Sequence, residues 1–305
     1  MLSKYGILCL AACLAVTLTA CGDDDSETFL PIPLDANPPL EIGSAQGRPA
    51  EVVLPADYDI ERRYPLVILL HGYGANARAE DFVFGLARRT TTHQFILVLP
   101  NGTLNASGER FWNGTIECCN FGSPPVDDVG YLAALMREAM QIYAVDPGRI
   151  RLAGHSNGGY MSYRYACEQP VFVDRIAVLA GSTYLDPADC GDPLPIDVLH
   201  MHGTNDDTVP YAPNPGPNGI RTVGAEAAVG YWAERAGCDA GPELVERRDH
   251  HRIVRVGNDP AETEILRYRG CGGATVELWK AVNGDHLYLS VNDGWRDDVA
   301  AFLSE

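Results

Sequence analysis

Short, unbroken apolar runs recur along this chain, most of them with helix-patterned sequence between them. They fall at residues 65–70 (PLVILL), 95–99 (FILVL), 150–153 (IRLA, broken only by Arg151), 176–179 and 197–201. A half-buried strand alternates apolar and polar residues; a run with no polar face must lie in a sheet covered on both sides. Strand-then-helix order over more than 200 residues predicts one α/β domain: a mostly parallel central sheet with helices on both faces.

The other elements follow from periodicity and turn chemistry. Weak alternation at 51–54 predicts an antiparallel edge strand. Helices are expected around 79–92, over 127–143, from the end of the Ile150 run to about Glu168, over 222–236 and over 293–303. A last strand is expected at 275–279. Asp146-Pro147-Gly148 reads as a turn, residues 212–219 as a loop, and the charged stretch 246–252 (ERRDHHR) as solvated surface.

The first 20 residues read as a targeting segment, with Lys4 ahead of a short apolar run and then Leu18-Thr19-Ala20-Cys21. This pattern predicts a bacterial lipoprotein signal cleaved before Cys21, which then carries lipid. Residues 21–48, rich in Pro and acidic groups, read as a flexible tether, and residues 49–305 as the folded domain. The expected location is extracytoplasmic, as a membrane lipoprotein or secreted protein. The net charge of −18 argues against nucleic acid or an anionic membrane surface as a partner. Contact with membrane is expected only through lipid on Cys21.

Export makes the cysteines informative. Beyond Cys9, Cys13 and Cys21 there remain Cys118, Cys119, Cys167, Cys190, Cys238 and Cys271. An even number in an oxidising compartment predicts disulfides, while the absence of CxxC or HxxxH spacing argues against a metal site. Six cysteines allow about 15 pairings, so spacing alone does not choose one.

The strand at 150–153 ends in Gly154-His155-Ser156-Asn157-Gly158, and a helix begins at once. In that context G-x-S-x-G is a nucleophile elbow: small residues two positions away let the chain fold back and expose the serine hydroxyl. Ser156 is the expected nucleophile, with the Asn157 N–H as one oxyanion donor. The glycine-rich turn His71-Gly72-Tyr73-Gly74 places the Tyr73 N–H as the second. Serine needs a base and an orienting acid. Asp206 and Asp207 lie just past the 197–201 strand, and His286 precedes the last helix, which gives the chain order Ser, acid, His. His202 is read as a packed strand-end residue, and His250 and His251 as solvated rivals of His286. Trp112 is a candidate platform for an aromatic acyl group or a sugar.

These motifs, together with "LPNGT", "FWNGTIECCN", "VDDVGYLAALM", "LHMHGTNDDTVPY" and "AGC" with "YRGC", resemble secreted esterases of the polyhydroxybutyrate-depolymerase and feruloyl-esterase type, in carbohydrate esterase family one. The resemblance implies an α/β-hydrolase fold and cofactor-free hydrolysis of feruloyl or acetyl polysaccharide esters, or of short hydroxyalkanoate esters. It puts the nucleophile on Ser156, the acid on Asp206 rather than Asp207, and the base on His286. It also pairs Cys238 with Cys271, pairs the other four cysteines among themselves, and makes Asp127 and Asp128 a structural helix-opening pair. One departure stands out: the family's G-G-G-H-x-W-P-G is here Asn283-Gly284-Asp285-His286-Leu287-Tyr288-Leu289-Ser290. The competing expectation is a non-catalytic surface-binding lipoprotein on the same scaffold.

Overall fold

The computed structural model describes residues 34–168, 173–216, 219–251, 261–286 and 291–305. Along the chain run β1 (Glu41–Ile42), β2 (Ala50–Val53), β3 (Tyr64–Leu70), α1 (Ala77–Phe84), α2 (Thr90–His93), β4 (Ile96–Leu99), the small pair β5 (Thr103–Leu104) and β6 (Arg110–Phe111), and α3 (Asp128–Ile142). Then come β7 (Val145–His155), α4 (Asn157–Glu168), β8 (Arg175–Leu179), β9 (Asp197–Gly203), α5 (Ala225–Arg235), β10 (Ala240–Arg248), β11 (Thr263–Arg269), β12 (Val276–Ala281) and α6 (Asp293–Ser304).

One ten-stranded sheet has the order β1-β2-β4-β3-β7-β8-β9-β12-β11-β10. From β4 to β12 every neighbouring pair is parallel, and both edges are antiparallel. The apolar runs occupy the centre. In β3 all seven residues are buried, because successive side chains alternate between two covered faces. Leu66, Ile68 and Leu70 belong to one apolar cluster that also holds Leu132, Met136, Met161 and Trp232 from α3, α4 and α5. Val67 and Leu69 pack with Phe84, Trp295 and Leu303 from α1 and α6.

The helices start and stop where local chemistry dictates. Asn76, Asp127 and Asn292 cap α1, α3 and α6 by accepting the N–H of Ala79, Gly130 and Trp295. Gly85, in the left-handed region at φ 64°, ends α1, and this splits the single helix expected over 79–92 into α1 and α2.

Other expectations change as well. Asp146-Pro147-Gly148 is a bulge inside β7, between the Tyr64↔Val145 and Leu66↔Ile150 pairs, because the partner strand offers fewer residues over that span. The stretch read as solvated surface holds the end of edge strand β10; its partner β11 was also unforeseen, and His250 is buried. Residues 34–48 are part of the folded domain and not of the tether expected over 21–48. Ile42 is buried and pairs with Ala50, and the Tyr143 hydroxyl donates to the Pro39 carbonyl, so the segment from Leu34 belongs to the domain. Cys21 and residues 287–290 lie outside the described residues.

Among the described residues there are three disulfides: Cys118–Cys119, Cys167–Cys190 and Cys238–Cys271. No helix of the described residues is long and apolar enough to cross a membrane.

Candidate active site

The chain leaves β3 for β4 on one side and returns through β7 on the other, so β3 and β7 form the point where strand order reverses. Crevices at such points, beyond the carboxyl ends of the strands, are where open α/β sheets bind ligands. Four loops converge there: the 71–74 turn after β3, Ser156 after β7, the Asp206 loop after β9 and the His286 loop after β12.

Ser156 sits between β7 and α4 at φ 53°, a left-handed conformation unusual for a residue with a side chain. Its flanking glycines are sterically required. A Cβ on Gly154 would collide with the Gly158 carbonyl, and one on Gly158 with the Leu70 carbonyl. The turn therefore folds tightly against β3, and a Cβ on Gly72 would meet Ser156 Cβ at 3.5 Å. That brings the Gly72–Tyr73 backbone alongside the hydroxyl.

The residues expected as base and acid meet Ser156 in line. His286 Nε2 lies 3.0 Å from Ser156 Oγ, and His286 Nδ1 lies 2.8 Å from Asp206 Oδ2. A carboxylate only accepts, so Nδ1 carries the ring proton and Nε2 is left to accept from the serine O–H. The other oxygen of Asp206 accepts the N–H groups of Thr208 and Val209 at 2.9 and 2.8 Å, while Asp207 is exposed. Burial pushes the Asp206 pKa up. Hydrogen bonds from His202 and His286 outweigh it and hold the carboxyl well below the usual carboxylate range.

Behind the acid runs a buried string that the sequence reading did not foresee. His202 Nε2 donates to the Val209 carbonyl at 2.8 Å and stands 3.2 Å from Asp206 Oδ2. Its Nδ1 then accepts from His200 Nε2 at 3.0 Å, and His200 Nδ1 accepts from the Tyr163 hydroxyl at 2.9 Å. Every donor points toward Asp206. Burial, and then the neighbouring His202, depress the His200 pKa strongly, which keeps that ring neutral.

A second unforeseen group lies under the elbow. His155 Nε2 donates to the His286 carbonyl at 3.0 Å, and its Nδ1 stands 3.5 Å from Glu80 Oε1. Glu80 Oε2 accepts the Gly72 N–H at 3.0 Å. One buried carboxylate thus ties the 71–74 turn, the elbow and the base loop together. Burial works against charge on His155, but Glu80 outweighs it, so His155 titrates above an ordinary histidine.

Trp112 is not a platform. It is fully buried because its backbone N–H and carbonyl are clamped by the Asn157 side chain at 2.7 and 2.9 Å, and its indole donates to the His71 carbonyl. It braces the elbow against the 71–74 turn. Tyr73 is partly exposed, and its ring packs edge-on against Phe121. The crevice itself is a cavity of about 460 Å³ that contains Ser156 and His286 and has an apolar wall of Ala75, Ala79, Val83, Phe121 and Ile220.

Comparison with known proteins agrees with this architecture. An esterase family model matches residues 45–271, most of the chain. The chain belongs to this esterase family. Among curated relatives, it is 28% identical to feruloyl esterase B of Piromyces equi over 257 residues, covering 80% of this chain and 43% of that protein. It is 29% identical to feruloyl esterase C of Emericella nidulans over 175 residues, covering 55% and 58%. The chain thus spans about half the length of these relatives. Its fold is that of solved α/β-hydrolases. The acetyl xylan esterase from Aspergillus awamori superposes with a TM-score of 0.59 at 14% identity, covering 86% of this chain and 97% of that one. The Bacillus cereus carboxylesterase gives 0.54 at 14%, covering 85% and 95%.

Proposed function

We propose that this member of the esterase family is a serine carboxylic-ester hydrolase acting on feruloyl or acetyl esters carried by polysaccharide. The observation that carries the reading is the unbroken line from Ser156 Oγ through the His286 ring to Asp206. His286 Nε2 takes the serine proton as Oγ attacks the ester carbonyl, and Asp206 stabilises the imidazolium that forms. The N–H groups of Tyr73 and Asn157 receive the developing oxyanion, each worth on the order of 3 kcal/mol of transition-state stabilisation. The imidazolium then protonates the leaving alcohol. Water, deprotonated by the same ring, releases the acid from the acyl-enzyme.

The disulfides support assignment to an oxidising, extracytoplasmic compartment. We assign lipid attachment to Cys21, after cleavage of residues 1–20, and the catalytic role to the domain that follows the tether.

The test is hydrolysis of p-nitrophenyl acetate and methyl ferulate by protein with intact disulfides, with Ser156→Ala and His286→Ala as controls. Turnover lost in both variants is the expected result. Folded wild-type protein that hydrolyses neither ester, and is not labelled by a serine-reactive fluorophosphonate, overturns the reading in favour of a surface-binding protein.

A further inference from the structure

The disulfides do not all do one job. Cys167–Cys190 and Cys238–Cys271 join residues 23 and 33 positions apart, and a bridge that closes a chain loop stabilises the fold by restricting the unfolded chain. Cys118–Cys119 joins neighbours. It ties no two segments together, so its effect is local: it stiffens one dipeptide and turns two thiols into one apolar group. That dipeptide lies in the stretch from Trp112 to Asp127, which carries no helix or strand between β6 and α3.

The position of the bridge gives that local effect a meaning. Cys119 and Phe121 line the catalytic cavity and also a second cavity beside it, of about 620 Å³, as a common wall. Cys118 and Cys119 are buried in a small apolar cluster with Tyr160 and Val209, against which Ile220 packs. The loop sits tightly on α4, since a Cβ on Gly114 would meet the Cys118 carbonyl oxygen at 3.0 Å and Tyr160 Cβ at 3.2 Å. Phe121, by contrast, is 65% exposed, with the Tyr73 ring at its edge. It holds φ 48°, a left-handed conformation that a residue with a side chain keeps only where its surroundings impose it. The anchored dipeptide just before it is what fixes its backbone.

An acyl group senses this wall according to its size. An acetyl group fills little of a cavity of about 460 Å³. A long or aromatic acyl group must lie against most of the apolar lining, Cys119, Phe121 and Ile220 included. On the esterase reading of Ser156, we propose that the Cys118–Cys119 bridge is a specificity-determining element: a stiff wall that holds Cys119 and Phe121 against the acyl group and so favours large acyl groups over acetyl. The rival is a purely structural bridge. Val209 gives its N–H to Asp206 Oδ1, so a disulfide that served only to pack the Asp206 loop would affect every ester alike.

The test uses p-nitrophenyl acetate and p-nitrophenyl ferulate, which share a leaving group and differ in the acyl part. They are compared on wild-type protein and on the double variant Cys118→Ala/Cys119→Ala, with Cys167–Cys190 and Cys238–Cys271 intact. The ratio of kcat/KM for the ferulate ester to that for the acetate is expected to fall about tenfold in the variant, mostly through the KM of the ferulate. Its Tm is expected to fall less than that of Cys167→Ala/Cys190→Ala, because no chain loop is opened. Phe121→Ala, which keeps the bridge, is expected to move the ratio in the same direction. An unchanged ratio in the double variant, whether both esters keep their rates or lose them in parallel, overturns the proposal. So does an unchanged ratio in Phe121→Ala, or a double variant that fails to fold, since the bridge is then a structural one. A wrong esterase reading shows separately, as absent turnover of both esters by the wild type.

Discussion

Two histidine–carboxylate pairs press on His286 from different sides, and they do different work. Asp206, backed by His202, grips the imidazole ring and fixes its tautomer. His155, backed by Glu80, grips the main-chain carbonyl of the same residue and fixes the loop that carries it. The first pair keeps its negative charge over any ordinary pH, because its carboxyl lies well below the usual range. The second is a histidine that burial alone would keep neutral and whose pKa Glu80 nonetheless holds above the ordinary histidine value. A base needs both an oriented ring and a placed backbone, and here a constant group supplies one and a titrating group the other.

The largest effect expected from breaking this comparison is on the ring side. Asp206→Asn should lower kcat for p-nitrophenyl acetate by about 10⁴-fold, since the wrong tautomer then faces Ser156. Glu80→Gln should cost about tenfold in the same assay, because the ring stays oriented while the loop and the 71–74 turn loosen. Equal losses in the two variants would show that the two grips are not distinct. Next in size, His202→Phe should cost roughly 2–3 kcal/mol in chemical denaturation, through unpaired groups on His200 and Val209 and a weaker hold on Asp206. His202→Gln, which can still donate, should recover part of that, and full equivalence of the two would remove the hydrogen bond from the account.

The smallest effect is on stability against pH. The folded pKa of His155 is raised above 6.5, so its contribution is fully present below that value and fades as pH rises through the raised one. His71, His93 and His200 are lowered, so their contributions are present above 6.5 and fade as pH falls below it. Thermal melts should therefore show a decline above about pH 6.5 that Glu80→Gln flattens. They should also show an acid-side decline that His200→Phe reduces. An unchanged alkaline slope in Glu80→Gln would assign that decline to another group.

The parts of this molecule that were legible in its sequence are those governed by local pattern. The β3, β4, β8 and β9 runs announce themselves because burial on both faces leaves no polar position, and the elbow does so because its glycines are steric necessities two residues from Ser156. Chain order points to the Asp206–Asp207 pair and to His286, and the family resemblance picks Asp206 from the pair. Glu80 was not legible: in "ARAEDF" it reads as an ordinary position of an amphipathic helix, and only folding brings it to His155. The His200–His202 string carried a signal that was not used. Residues i and i+2 of a strand share a face, so two histidines so spaced, leading into an acidic loop, mark a polar column inside a core. Strand β10 escaped because its residues are almost all exposed and its charges, paired as Arg247–Glu264 and Arg269–Glu243, erase any alternation. Such charged edges discourage pairing with other chains.

Gly203 and Gly284 deserve a last consideration from the standpoint of anyone re-engineering this scaffold. A Cβ on Gly203 would run into the Gly284 carbonyl, so the acid loop and the base loop rest on each other main chain to main chain. Their spacing is written into bare backbone, where no library of side chains can tune it. Diversity introduced at Gly203 will return inactive clones whatever the substrate. Thr208, Ile220 and Phe121, which line the same crevice from side-chain positions, are where a change of selectivity can be sought without moving the catalytic atoms.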